Sequence, residues 1–264
     1  MWDKLRHYLF VVEGAHDVAA ISCILKLLGI DSEIRSKDNL SEAWEKLIPD
    51  KYPFNGDVLD RITPLPSFFQ NDEVSIAIKV AGSDSKLFST LDEIITTLNI
   101  AQIANLNGVL LFCDADDKDY SSRLNYIIKQ SKDNDILSFD LDVFLKDKVI
   151  KTRIKDIKTD LYIFPDNKTK GTLEHLLLQG ANIVYKDLYE AATTYVSAVD
   201  SSYKRKWSVS SENKVLVGCI ANVLKPGKAN QVSISDNEWI GKMTVDKCDD
   251  IKKFFNFIGD FIKL

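Results

Sequence analysis

The chain has 264 residues, of which 45% are hydrophobic and 28% charged, and it carries a net charge of −5. This is ordinary globular composition, sufficient to bury a core without disulfide staples, and the acidic balance excludes a protein that grips nucleic acid through bulk positive charge. No run of about 18 apolar residues occurs, so no membrane span is expected.

The opening residues lead into no signal-like apolar region. The four cysteines, Cys23, Cys113, Cys219 and Cys248, form no C-x-x-C pair. Both features point to buried free thiols in a reducing cytoplasm.

In chain order, "HYLFVVE" (7–13) reads as a central strand buried on both faces. Gly14 ends it, and helical spacing of Val18, Ile21, Ile24, Leu25 and Leu28 follows until Gly29. A short strand is expected over 31–35 and a helix near 40–47. Residues 50–72, with Pro53, Pro64 and Pro66, read as a loop. "EVSIAIKV" (73–80) is another strand, followed by "AGSDS" and a helix over 86–98. "GVLLFCD" (108–114) is the next buried strand, with a helix over 121–132, and "DLYIFP" (160–165) one more strand.

Beyond residue 171 the pattern turns helical, over 172–179, 183–198, 212–224 and 247–262. Alternating strands and helices predict a mainly parallel sheet with helices on both faces. The expected organisation is an α/β core over 1–180 and a helical C-terminal extension over 181–264 packed on it. A single domain overall is the alternative.

Ligands in open parallel sheets bind at the carboxyl ends of the strands. Glu13 closes the first strand there. Asp114 closes the 108–114 strand, and Asp116 follows two residues later. Clustered carboxylates repel unless they share protons or hold a cation. Oxygen-only donors favour Mg²⁺ or Mn²⁺ over zinc. Taken singly, each acid has a plainer reading: Glu13-Gly14 as a turn, Asp17 as a favourable charge at a helix start, 114–119 as a solvated loop.

"VVEGAHD" followed by "LLFCDADD" resembles the Toprim domain, the metal-binding fold shared by type IA and II topoisomerases, DnaG primases, small ribosomal-RNA maturases and OLD-type nucleases. The resemblance implies that Glu13 is the first acid and that Asp114 and Asp116 are the Asp-x-Asp pair. In the OLD branch a second acid after the Glu joins the metals, and Asp17 matches it. "IFPDNKTKGTLEHLL" (163–177) and "NKVLVGCIANVLKPGKANQVSISDNEWI" (213–240) resemble a Toprim-like bacterial family of largely unassigned function. That resemblance adds Glu174 as a metal-site acid and Lys214 as a cation of the site, although Lys214-Val215 stands where the family often has Lys-Ala. Asp166 and Asn167 also suit a plain turn.

The resemblance implies a Toprim-like fold and a two-metal nuclease using Mg²⁺ or Mn²⁺ on DNA or RNA, with roles in phage defence or nucleic-acid repair and processing. Glu13, Asp17, Asp114, Asp116 and Glu174 would be the metal ligands, and Glu13, Asp114, Asp116 and Lys214 the catalytic set. His16 and His175 adjoin proposed acids. Positive charge for the transition state would come from Lys214, Lys225 or Lys228. Lys151, Arg153 and Lys155 alternate as they would on one strand face. "YKRKW" (203–207) joins Lys204, Arg205 and Lys206 to two aromatics. Either group suits a phosphate backbone, and either suits a solvated face.

No G-x-x-x-x-G-K-[ST] motif occurs, so a separate ATPase partner is a further expectation, since OLD-type nucleases carry one in the same chain. The apolar run "FFNFIGDFI" (254–262) suggests a homodimer. Two other functions stay open: a non-catalytic Mg²⁺-binding module that binds nucleic acid or nucleotide and regulates a partner, and a receiver-like phospho-acceptor. The Lys and Thr of a receiver pocket are not evident.

Overall fold

A computed structural model describes residues 5–48, 65–134, 137–208 and 210–263. In chain order the elements are β1 (Arg6–Val12), α1 (Ala15–Leu27), β2 (Ser32–Ile34), β3 (Ser67–Gln70), β4 (Val74–Val80), α2 (Leu87–Thr97), α3 (Ile100–Asn105), β5 (Leu106–Asp114), α4 (Tyr120–Asn134), α5 (Leu141–Lys146), β6 (Val149–Lys151) and β7 (Asp156–Phe164). Among the described residues helices alone follow: α6 (Leu173–Val184), α7 (Lys186–Ala198), α8 (Ser201–Lys204), α9 (Ser211–Leu224), α10 (Asn230–Asp236), α11 (Lys242–Lys247) and α12 (Asp249–Ile262). The chain has an α/β fold with a helical C-terminal region.

The chain divides into two compact units that interleave along the sequence. The first comprises 1–14, 30–111 and 128–161, and the second 15–29, 112–127 and 162–264.

The first unit is built on a seven-stranded sheet of order β2-β3-β4-β1-β5-β7-β6. β1 lies between β4 and β5 and is parallel to both. Its Leu9–Val12 run is wholly buried, as a strand with parallel neighbours on both sides requires. β2 and β3 add an antiparallel edge beside β4, and β6 closes the other edge antiparallel to β7. Two buried polar contacts tie its elements together: Trp44 donates its indole N–H to Ser75 Oγ at 2.9 Å, and His7 Nε2 meets Ser41 Oγ at 2.7 Å.

Two expectations change in this unit. β3 falls inside the proline-rich stretch read as a loop, where buried Phe68 and Phe69 pair with β2 and β4. Of residues 50–72, 50–64 lie outside the described residues. The helix expected near 40–47 is a 3-10 helix over Glu42–Leu47, capped by Ser41.

In the second unit, Phe112, Tyr162, Phe164, Phe254 and Phe257 form an aromatic cluster with centroids 4.9–6.5 Å apart. Phe254, Ile258, Phe261 and Ile262 are buried, so the "FFNFIGDFI" run contributes to the chain's own core. Gly180 of α6 lies so close to Trp239 that an added Cβ would stand 2.1 Å from its carbonyl oxygen.

Candidate functional site

Within the second unit, three chain ends meet: the start of α1, the end of β5 and the start of α6. The start of a helix leaves backbone N–H groups without intrahelical partners, and side chains from elsewhere take them here. Asp114 Oδ1 accepts the Leu173 N–H at 2.8 Å. The Asp116 N–H donates to the Gly171 carbonyl at 2.8 Å, a bridge between the loop after β5 and the residues before α6. His175 Nδ1 accepts the Thr172 N–H at 2.9 Å. His175 Nε2 lies 3.0 Å from the Asn213 side-chain nitrogen.

Gly171 makes this junction close-packed. Its φ is +147°, and a Cβ there would stand 3.0 Å from His175 Nδ1 and 3.1 Å from Pro165 Cδ. Asp166 and Asn167 shape the turn ahead of it. Asp166 accepts from the Thr169 N–H and hydroxyl at 2.8 and 2.9 Å. Asn167, at φ 60°, accepts from the Ile163 N–H at 2.6 Å.

Glu174 is the most buried acid of the site, 5% exposed. His16 Nδ1, from the first turn of α1, lies 3.6 Å from its Oε1. Its Oε2 is buried and meets no hydrogen-bond donor among the described residues. Burial alone would raise its pKa. Hydrogen bonds from His16, Thr172 and its own backbone, with the Lys214 charge, outweigh burial and hold the carboxyl below the ordinary glutamate value. An ionised, buried carboxylate with an unused oxygen is what a cation would satisfy.

Asp17 is buried beside His16 in the first turn of α1. Asp116 is 44% exposed and adopts a left-handed φ of 56°, a conformation that clusters at functional sites. Its Oδ2 lies 3.5 Å from Arg123 Nη2, and Arg123 is only 2% exposed. Asp117 pairs with Lys118 at 3.1 Å. Asp119 caps α4 by accepting the Ser122 N–H at 2.8 Å. Of the four aspartates in the 114–119 loop, Asp117 and Asp119 therefore serve an ion pair and a helix cap.

Asp17, Asp114, Asp116, Glu174 and Lys214 all belong to the second unit. Glu13 belongs to the first, at the end of β1, where its carbonyl accepts the Gly82 N–H at 3.0 Å. Among the described residues no group of three or more His, Cys, Asp or Glu side chains is drawn together to hold a metal. The donors nevertheless fit Mg²⁺ or Mn²⁺ in kind. They are hard carboxylate oxygens, one of them buried and unused, and Mg²⁺ commonly takes one or two carboxylates and completes its shell with water and substrate phosphate.

The basic residues separate. Lys151 ends β6, paired with Asp156. Arg153 and Lys155 lie in the β6–β7 turn, where Thr152 accepts the Lys155 N–H at 3.1 Å. The three cations thus cap a hairpin instead of lining a strand face. Lys204 ends α8, with its ammonium 5.7 Å from the Trp207 ring centroid, and exposed Arg205 and Lys206 follow it.

Sequence reasoning missed Arg123 and Asn213. An arginine in "DYSSRLNY" carries no signal of burial. Asn213 stands directly before Lys214, and only the fold brings it to His175.

Residues 7–261 match the family described as "Protein of unknown function (DUF3226)". The chain belongs to DUF3226. No curated protein matches it. Among solved structures it is similar to a hypothetical protein of Pyrococcus horikoshii OT3, at 16% identity and a TM-score of 0.52, over 98% of this chain and 97% of that one. At this identity the likeness shows the fold. Two structures of the C-terminal region of the OLD protein of Xanthomonas campestris pv. campestris also align, at 12% and 13% identity and TM-scores of 0.38 and 0.40. They cover 100% and 98% of this DUF3226 chain, and 98% and 94% of theirs. They are too distant to support a functional inference.

Proposed function

We propose that this DUF3226 protein is a Toprim-type nuclease that hydrolyses phosphodiester bonds of DNA or RNA with Mg²⁺ or Mn²⁺. The observation that carries the reading is Glu174. A carboxylate held ionised in a buried position, with one oxygen unused, sits in the same junction as Asp114 and Asp116.

Asp17, Asp114, Asp116 and Glu174 would hold the ions, with Glu13 as the fifth acid implied by the sequence resemblance. Bound divalent cations supply charge neutralisation at a scissile phosphate and a more acidic coordinated water. The chain's own residues do the positioning. The Leu173 N–H fixes Asp114, the Gly171 carbonyl fixes the Asp116 backbone, and His16 orients Glu174. Lys214, exposed on α9, offers a cation for the phosphate oxygens. A separate ATPase partner belongs to the same reading, and its absence on purification from the native host would count against it.

The test is cleavage of labelled plasmid, linear DNA and bulk RNA with Mg²⁺ or Mn²⁺, comparing wild type with Glu13→Ala and Asp114→Ala. Metal-dependent cleavage lost in both variants is the expected result. Absence of cleavage with either metal, alongside retained Mn²⁺ binding, would replace the enzyme by a metal-binding module that acts on a partner.

A further inference from the structure

An arginine is permanently charged, and a buried charge must be paired. Arg123 is 2% exposed, yet it lies on α4 directly behind the acidic loop. Its guanidinium faces Asp116 Oδ2 at 3.5 Å, and its carbon lies 5.5 Å from the Tyr126 ring centroid. Its backbone N–H donates to the Asp119 carbonyl at 2.8 Å, and Asp119 caps the same helix. One end of the loop is therefore fixed by the cap. The other is fixed by the Asp116–Gly171 bridge, with Asp116 in its left-handed conformation.

Arg123 is too buried to touch a phosphate. Asp116, at 44% exposure, has a face open to solvent while its Oδ2 is engaged from behind. We infer that Arg123 is a positioning residue, holding the Asp116 carboxylate in the orientation from which it ligates a divalent cation. This rests on the reading of Asp116 as a metal ligand and adds to it the residue that sets its geometry. Groups of this kind, one step behind the ligands, typically contribute about 10- to 100-fold in metal affinity. Removing the guanidinium would also relieve repulsion between it and an incoming cation. The loss of orientation outweighs that relief.

The experiment is Mn²⁺ binding to the full-length protein, read by the signal of free Mn²⁺, for wild type, Arg123→Met, Arg123→Lys, Asp116→Asn and the double variant Arg123→Met/Asp116→Asn. Thermal unfolding without metal identifies variants that fold. Arg123→Met is expected to weaken binding about 10- to 100-fold, with Arg123→Lys intermediate, since lysine keeps the charge but not the planar fork. In the Asp116→Asn background, Arg123→Met should change affinity less than threefold, because the residue acts through Asp116. If Arg123→Met does not fold, Arg123→Lys alone must still weaken binding several-fold. Unchanged or tighter binding in the folded Arg123 variants, with Asp116→Asn impaired, overturns the inference alone. So does an equal effect of Arg123→Met with and without Asp116. Failure of the wild type to bind Mn²⁺ overturns the metal-ligand reading of Asp116 and the inference with it.

Discussion

Asp114 Oδ1 accepts the Leu173 N–H at 2.8 Å, so the acid that ends β5 also caps the first turn of α6. One carboxylate thereby satisfies a helix-start donor and is also a candidate metal ligand. The two can be separated by substitution. Asp114→Asn keeps an acceptor for Leu173 and removes the charge. Asp114→Ala removes both. We expect Asn to cost less than about 1 kcal/mol of stability and Ala about 1–2 kcal/mol, as for loss of a helix cap. Both should abolish metal-dependent cleavage. Denaturant unfolding with a cleavage assay on the same samples checks this, and an active Asp114→Asn would remove Asp114 from the ligand set.

Much of the frame could be read from residues alone. β1 is a continuous apolar run because a strand between parallel neighbours meets protein on both faces, and the ends of β1 and β5 put Glu13 directly after one strand and Asp114 at the end of the other, with Asp116 two residues on. What escaped depended on distant partners. β3 is four residues beside prolines and exists only through pairing with β2 and β4. The cations of 151–155 alternate as if on one strand, but a hairpin turns between them. Arg123 looks like any surface helix residue until the fold buries it beside Asp116. Thr172 and His175 close the start of α6 reciprocally, but histidine stands where the familiar capping pattern has Glu or Gln.

Gly180 sits within α6, where alanine would ordinarily be favoured by about 1 kcal/mol. Here the added Cβ would stand 2.1 Å from the Trp239 backbone carbonyl, and a backbone atom cannot rotate aside. Gly180→Ala is therefore expected to destabilise by about 1–3 kcal/mol, the reverse of its helix preference. Chemical denaturation decides it. A stabilised Gly180→Ala would mean that α6 and the 239 segment separate readily.

Asp166 gives the stability a pH signature. Burial tends to raise its pKa, but the Thr169 N–H and hydroxyl, the Lys168 N–H and the Lys253 charge together lower it below the ordinary aspartate value. A folded pKa below the unfolded one contributes stability that is present above the unfolded value, about 3.9, and lost as pH falls through the folded value. The deficit of Asp166→Ala, about 1–3 kcal/mol for a charged acceptor, should be full at pH 6 and shrink steadily below about pH 4. Thermal melts of both proteins across that range test it, and a constant deficit would assign the loss to turn geometry instead of charge.

The thiol of Cys23 is buried in α1 and donates to the Ile234 carbonyl at 3.3 Å; burial pushes its pKa up to about 11. At pH 8 its thiolate fraction is on the order of one in a thousand, against about a quarter for a free cysteine. Cys23 should resist alkylation in the native protein and react promptly in denaturant. Peptide mapping after timed labelling reads this directly. Rapid native labelling would show that α1 leaves α10 on the labelling timescale.

The basic segment at the end of α8 tests nucleic-acid contact without presuming catalysis. Lys204, Arg205 and Lys206 are consecutive cations in an otherwise acidic chain. Each cation that neutralises a duplex phosphate contributes about −0.9 to the slope of log affinity against log salt, and about −0.7 on a single strand. Replacing all three by alanine should therefore flatten that slope by about 2–3 units if each meets a phosphate. The same replacement of Lys151, Arg153 and Lys155 tests the hairpin separately. Lys155 is half-buried where Lys151 and Arg153 are exposed, and burial lowers its pKa from the ordinary value. Fluorescence anisotropy with a labelled duplex and its single strand between about 50 and 200 mM salt measures both slopes. An unchanged slope in the α8 variant would make that segment a solvated surface, and flattening in the hairpin variant would move the phosphate contact to the β6–β7 turn.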